Sequence, residues 1–160
     1  MLKVLLTAVL LGGLLSCSSP APHENIPMKI HAFRLQPGQD LRREIQHFVD
    51  SNAIRAGWIM TCVGSLTDVH MRYANQPEGT RQTGHFEIVS LVGTLGTAGS
   101  HLHLSISDSL GTTTGGHLLD GNIVYTTAEI VIGEAAGLVF GREEDGTTPY
   151  KELQVRTVEE

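Results

Sequence analysis

From residue 28 onward, apolar and polar residues alternate with a period of two over much of the chain, the signature of half-buried strands. The clearest case is His101 to Ser107 (HLHLSIS). Read as a strand, it turns His101, His103, Ser105 and Ser107 to one face and Leu102, Leu104 and Ile106 to the other. The turn residues Asp108 to Thr112 follow. Thr113 to Ile132 then reads as a second strand, bent or bulged at Gly115-Gly116. A loop flanked symmetrically by residues 108 and 112 sets His103 directly opposite His117, with Cβ atoms about 4.5–5.5 Å apart. His101 lies one pleat along on the same face, so three imidazoles converge on one patch of sheet.

The remaining segments follow the same logic. Met28 to Leu35 alternates and is closed by Pro37-Gly38. Asp40 is a fitting N-cap for a helix from Leu41 to about Val49, whose Leu41, Ile45, Phe48 and Val49 share one face. Ala56 to Tyr73 is strand-like with a bend at Gly64-Ser65, and Asn75 to Thr83 reads as an exposed loop. Gly84 to Gly96 is a strand pair or one bent strand. Gly133 to Gly137 reads as a loop, and Leu138 to Gly141 and Lys151 to Val158 as final strands around a polar loop. Many β-segments without βαβ alternation predict an α+β domain: a mixed, largely antiparallel sheet with one or two packed helices.

The N-terminus changes the picture first. Lys3 precedes an apolar run from Val4 to Leu15, which is too short for a membrane span of about 20 residues but suits the core of a secretory signal. Leu14-Leu15-Ser16-Cys17 and the Ser/Pro-rich residues after it resemble a bacterial lipobox, in which the cysteine becomes the lipidated first residue. The expected organisation is a signal peptide at 1–16, lipidated Cys17 with a flexible tether at 17–27, and one domain at 28–158. This predicts an exported protein of the bacterial cell envelope, held to a membrane by its N-terminal lipid. Cys62 is then the remaining thiol and, inside an apolar run, is expected to be buried and free.

Charge weighs against one class of partner. The chain carries a formal charge of −6 over 160 residues. Phosphate contacts need clustered Lys and Arg, so the overall balance argues against nucleic acid.

Candidate chemistry centres on His101, His103 and His117. Neutral imidazoles suit zinc or another divalent transition metal at about 2.0–2.1 Å, with a fourth position left to water or a carboxylate. The alternative is that the three histidines hydrogen-bond one another and nearby backbone at a subunit contact. Glu87 and Glu129 sit in strands with apolar neighbours and are candidates to complete the site, or to form a structural bond such as one to Arg142. Asp108 is expected to cap its turn. His31, His47 and His70 are expected in solvent, while His85 is within range of approaching the cluster. No nucleophile elbow, phosphate loop or CxxC is present in the sequence, so a catalytic residue is not identified.

The ordered set Gly84-His85-Phe86-Glu87-Ile88-Val89-Ser90-Leu91-Val92-Gly93, His101 to Asp108 and Gly115-Gly116-His117-Leu118 resembles the plants-and-prokaryotes-conserved (PPC) domain family. Phe140-Gly141-Arg142-Glu143 and Tyr150-Lys151-Glu152-Leu153 look like its closing segment. The resemblance implies an α+β fold and a homotrimer, with a metal at the matching histidines as in some prokaryotic members. It also carries the family's nominal DNA-binding role, but no Arg-Gly-Arg-Pro hook occurs here and the export signal points away from the chromosome. The expected function is a membrane-anchored, trimeric binding module with a histidine-bound metal. The alternatives are a metal-dependent enzyme of hydrolase type at the same histidines and, disfavoured, a DNA-binding protein.

Overall fold

The computed structural model describes residues 26–158. The expected signal peptide, Cys17 and the tether as far as residue 25 lie outside the described residues. The elements run β1 (Met28–Leu35), α1 (Leu41–Ser51), β2 (Gly57–Arg72), β3 (Thr80–Leu95), β4 (His101–Ser107), β5 (Thr113–Leu118), β6 (Ile123–Ala135), β7 (Leu138–Glu144) and β8 (Lys151–Thr157). Six strands form one sheet in the order β1-β6-β2-β3-β4-β5, and β7 and β8 form a separate hairpin. Every strand pairing among the described residues is antiparallel. The described residues are therefore mostly antiparallel β with a single short helix, which corrects the expected mixed sheet and loosens the α+β assignment.

The sheet curls because of one long strand. β2 pairs β6 from Gly57 to Asp68, then meets β5 on that same edge at Met71 and Arg72. With β3 and β4 between, β5 closes back onto β2, and the end of β2 is brought beside the histidine hairpin. The break between β5 and β6 falls at residues 119–122, not at Gly115-Gly116. Fully buried Asn122 holds it there: its side chain accepts from His70 N (2.9 Å) and donates to Leu119 O (2.6 Å) and His70 O (3.2 Å). Gly115-Gly116 serves another purpose. A Cβ on Gly116 would lie 2.8 Å from Arg72 O, so only glycine lets β5 close on β2 at this point.

Alternation overruns two expected loops. β3 begins at Thr80, since Thr80 to Thr83 pair with Met71 to Asp68 despite their polarity. β6 runs on through Gly133 to Ala135, paired with both β1 and β2. Pairing partners on either side outweigh the turn-forming composition that the sequence presents there.

The core matches the buried faces expected from the pattern. Leu102, Leu104 and Ile106 are 1–2% exposed, and Leu41, Ile45 and Val49 of α1 are fully buried. Phe48 is only partly covered, stacking on Phe33 with ring centroids 4.0 Å apart. Cys62 is buried and free, and burial pushes its thiol up to about 12, consistent with an inert core group. Asp40 caps α1 by accepting from Arg42 N (3.1 Å) and Arg43 N (3.3 Å), and it also accepts from Gly121 N (2.6 Å). Asp40→Ala removes all three acceptor contacts, and chemical denaturation is expected to show a loss of about 1–2 kcal/mol. No described helix is long and apolar enough to cross a membrane.

Candidate metal centre

The β4–β5 hairpin builds the site. Asp108 caps its turn as expected, its carboxylate accepting from Leu110 N (2.9 Å) and Thr112 N (2.8 Å) while Gly111 takes φ +82°. The resulting register sets Leu104 against Gly116 and His103 against His117. The ring centroids of His101, His103 and His117 are 5.1, 5.1 and 5.6 Å apart in their three pairings, and one ligand nitrogen from each lies within 4.8 Å of the others. Three nitrogens on a tetrahedral zinc at 2.0–2.1 Å sit roughly 3.3 Å apart, so modest ring rotation suffices to meet the donor spacing.

Two further observations fit this donor set to a metal. His117 Nδ1 is buried and has no hydrogen-bond partner, an orphan of the kind native proteins avoid unless something else satisfies it. Two of the three rings are also biased towards the neutral form. Burial, followed by the charges of His101, Arg72 and His103, pushes His117 down to about 4. Burial, then Arg142 and His103, pushes His101 below its ordinary value, with Glu152 opposing. Neutral imidazole is the ligating form, so these two shifts favour coordination by His101 and His117.

The neighbours are not those expected. Glu87 and Glu129 are both exposed. Glu87 pairs with Ser107, four residues along β4 from His103 and so about 13 Å away at 3.3 Å per residue. Glu129 pairs with Arg34 and Val63 in another part of the sheet. Neither completes the site, and Arg142 partners neither. Instead, Arg142 Nη2 donates to Thr94 Oγ1 (2.6 Å) and its Nη1 lies 3.5 Å from His101 Nδ1. Thr94 is itself paired with His101. His85 packs against Tyr125, the rings tilted by 55° with centroids 4.4 Å apart. His47 is exposed, but His31 and His70 are not free in solvent: His31 Nε2 is 2.8 Å from Glu134 Oε2, and His70 Nδ1 is 2.7 Å from Asp120 O.

The residues missed from sequence come from distant segments. One cleft of about 360 Å³ places Arg142, Glu152, Leu153 and Val92 beside His101 and His103. A second, of about 390 Å³, places Arg72, Ser100, Tyr150 and Lys151 beside His101 and His117. Arg72 arrives because β2 pairs β5, which sets it against His117. Tyr150 to Leu153 arrive on the β7–β8 hairpin, which is docked by Phe140 N donating to Arg55 O (2.9 Å).

Comparison with known proteins finds relatives of the chain. Residues 23–136 match the sequence model of the Plants and Prokaryotes Conserved (PCC) domain. The chain is 38% identical over 148 residues to the bifunctional protein GlmU of Synechococcus sp. (strain JA-3-3Ab); the match covers 92% of this chain but 24% of that protein. Among solved structures, a hypothetical protein from Salmonella cholerae-suis is 45% identical, covering 84% of this chain and 98% of that one, with a TM-score of 0.82. A metal-containing protein from Archaeoglobus fulgidus is 25% identical, covering 79% of this chain and 93% of that one, with a TM-score of 0.68.

Proposed function

The chain belongs to the Plants and Prokaryotes Conserved domain family, and on that premise we propose that it is a metal-binding module whose ion is held by His101, His103 and His117. The observation that carries this reading is the buried, partnerless Nδ1 of His117 within a cluster of three imidazoles. The metal-containing relative from Archaeoglobus fulgidus supports it. All-nitrogen donors of borderline softness favour zinc. Such an ion would supply Lewis acidity when bound. The protein's own part is to hold three rings in one register and to bias His101 and His117 towards the unprotonated form. Glu87 and Glu129 are elsewhere, and Glu152, the carboxylate that lines both clefts, is engaged by Thr148 Oγ1 (2.5 Å) in the field of Arg142, which argues against a general base at the site. Binding without turnover is therefore favoured over hydrolase chemistry. The acidic charge of −6 likewise disfavours DNA.

The assembly and location belong to the same reading. A homotrimer is what the family resemblance implies, and an exposed apolar row supports a covered face: Met60 and Val63 on β2 lie beside Val92 and Val89 on β3, each about half exposed. Val92 also lines the histidine cleft, so such a face adjoins the site. The lipobox pattern at Cys17 supports an envelope protein anchored by lipid.

The test is elemental analysis of the purified chain together with its mass in solution. Near-stoichiometric transition metal on a species of three chains is the expected result, and no metal above background would sink the metal reading. Location has its own expected outcome: wild type sediments with membranes, whereas Cys17→Ala shifts to the soluble fraction. An unchanged membrane fraction for Cys17→Ala would refute the anchor.

A further inference from the structure

The larger cleft beside the histidines carries a charge opposite to that of the whole chain. Arg72, Arg142 and Lys151 line it against the single carboxylate of Glu152, in a protein whose formal charge is −6. The two guanidinium groups are held in place rather than left to wave in solvent. Arg72 sits over the Tyr150 ring, 5.9 Å from its centroid, and Arg142 is tied to Thr94 Oγ1 at 2.6 Å. The wall also contains Ser100, whose buried Oγ has no hydrogen-bond partner. A buried hydroxyl left unmatched beside two preset guanidinium forks describes half of a recognition surface, the other half being a guest rich in acceptors.

We propose that this cleft binds a small organic acid, its carboxylate taken by the guanidinium groups of Arg142 and Arg72 beside the histidine centre. The guanidinium plane matches a carboxylate edge with two parallel N–H donors. At about 390 Å³ the cleft lies near the lower end of the roughly 300–1,000 Å³ typical of small-molecule sites, which suits an acid of a few carbons. Phosphate is the weaker fit. The helix among the described residues begins at Leu41, and its N-terminus is already occupied by the Asp40 carboxylate. None of the residues lining the cleft belongs to that helix, so no helix N-terminus is available there for a phosphate. The inference rests on the metal reading only in sharing His101 and His117 as part of its lining.

Calorimetric titration of acetate, succinate and citrate into the purified full chain tests this, with inorganic phosphate as the comparison and bound metal measured on every sample. At least one of the three acids is expected to bind wild type. Arg142→Gln is expected to weaken that binding at least tenfold with metal content unchanged. Should Arg142→Gln lose its melting transition, Lys151→Gln, at an exposed position of β8, decides instead and is expected to weaken binding several-fold. Absence of binding by all three acids, affinity unchanged in a folded Arg142→Gln or in Lys151→Gln, or phosphate binding tighter than every acid would overturn the proposal. Arginine-dependent binding by a chain that contains no metal would uphold it while the metal reading failed.

Discussion

Replacing His103 and His117 together with alanine is expected to take bound metal from about one ion per chain to none, without unfolding the domain. Three imidazole nitrogens form the donor set, and losing two leaves one imidazole, which does not retain a divalent ion against dilution. The fold should survive, because both positions lie on the face of the hairpin turned away from Leu102, Leu104 and Ile106. In the metal-free state, removing His117 even relieves a buried nitrogen that lacks a partner. A bound ion stabilises only the native state, by about 2.7 kcal/mol when its concentration is a hundredfold above its dissociation constant. Wild type should therefore lose several degrees of melting temperature on treatment with a chelator, and the double variant should lose none. A double variant that keeps wild-type metal, or a wild type indifferent to chelation, would remove the basis of the site.

Leu104→Ala, one residue along the same strand, should do the reverse. Leu104 is 2% exposed and packs within the main core cluster. Truncating a leucine in such a position costs about 2–5 kcal/mol, from lost burial and the cavity left behind. That is a large share of the roughly 5–15 kcal/mol by which domains are stable. Denaturant titration is expected to show this loss, and metal is expected to bind only in so far as the chain stays folded. Retention of wild-type stability would mean that the hairpin's inner face is not core. Neighbouring substitutions, His103→Ala and Leu104→Ala, thus separate chemistry from folding along one strand.

Much of this was legible in advance because period-two alternation is a local property. The inner and outer faces of β4, the Asp108 turn and the opposition of His103 and His117 all follow from a short segment and one turn. The same holds for α1 and its Asp40 cap. Glu87 and Glu129 misled for an instructive reason. Apolar sequence neighbours suggest burial, yet in a strand the adjacent residues point to the opposite face, and both carboxylates look outward. The break after Leu118 was equally hidden, since it depends on Asn122 bonding backbone atoms of a strand fifty residues away.

By itself, then, the sequence determined which residues face inward, where the helix starts, and that three histidines share one face of a hairpin. Only the tertiary structure decided what surrounds them. Arg72 reaches the site because β2 is long enough to pair β6 and then β5, and Arg142, Tyr150, Lys151 and Glu152 reach it because a separate hairpin docks against the sheet. Alternation and capping are encoded within a few residues. The charge of a cleft depends on which remote segments are folded against it, and no local pattern carries that information.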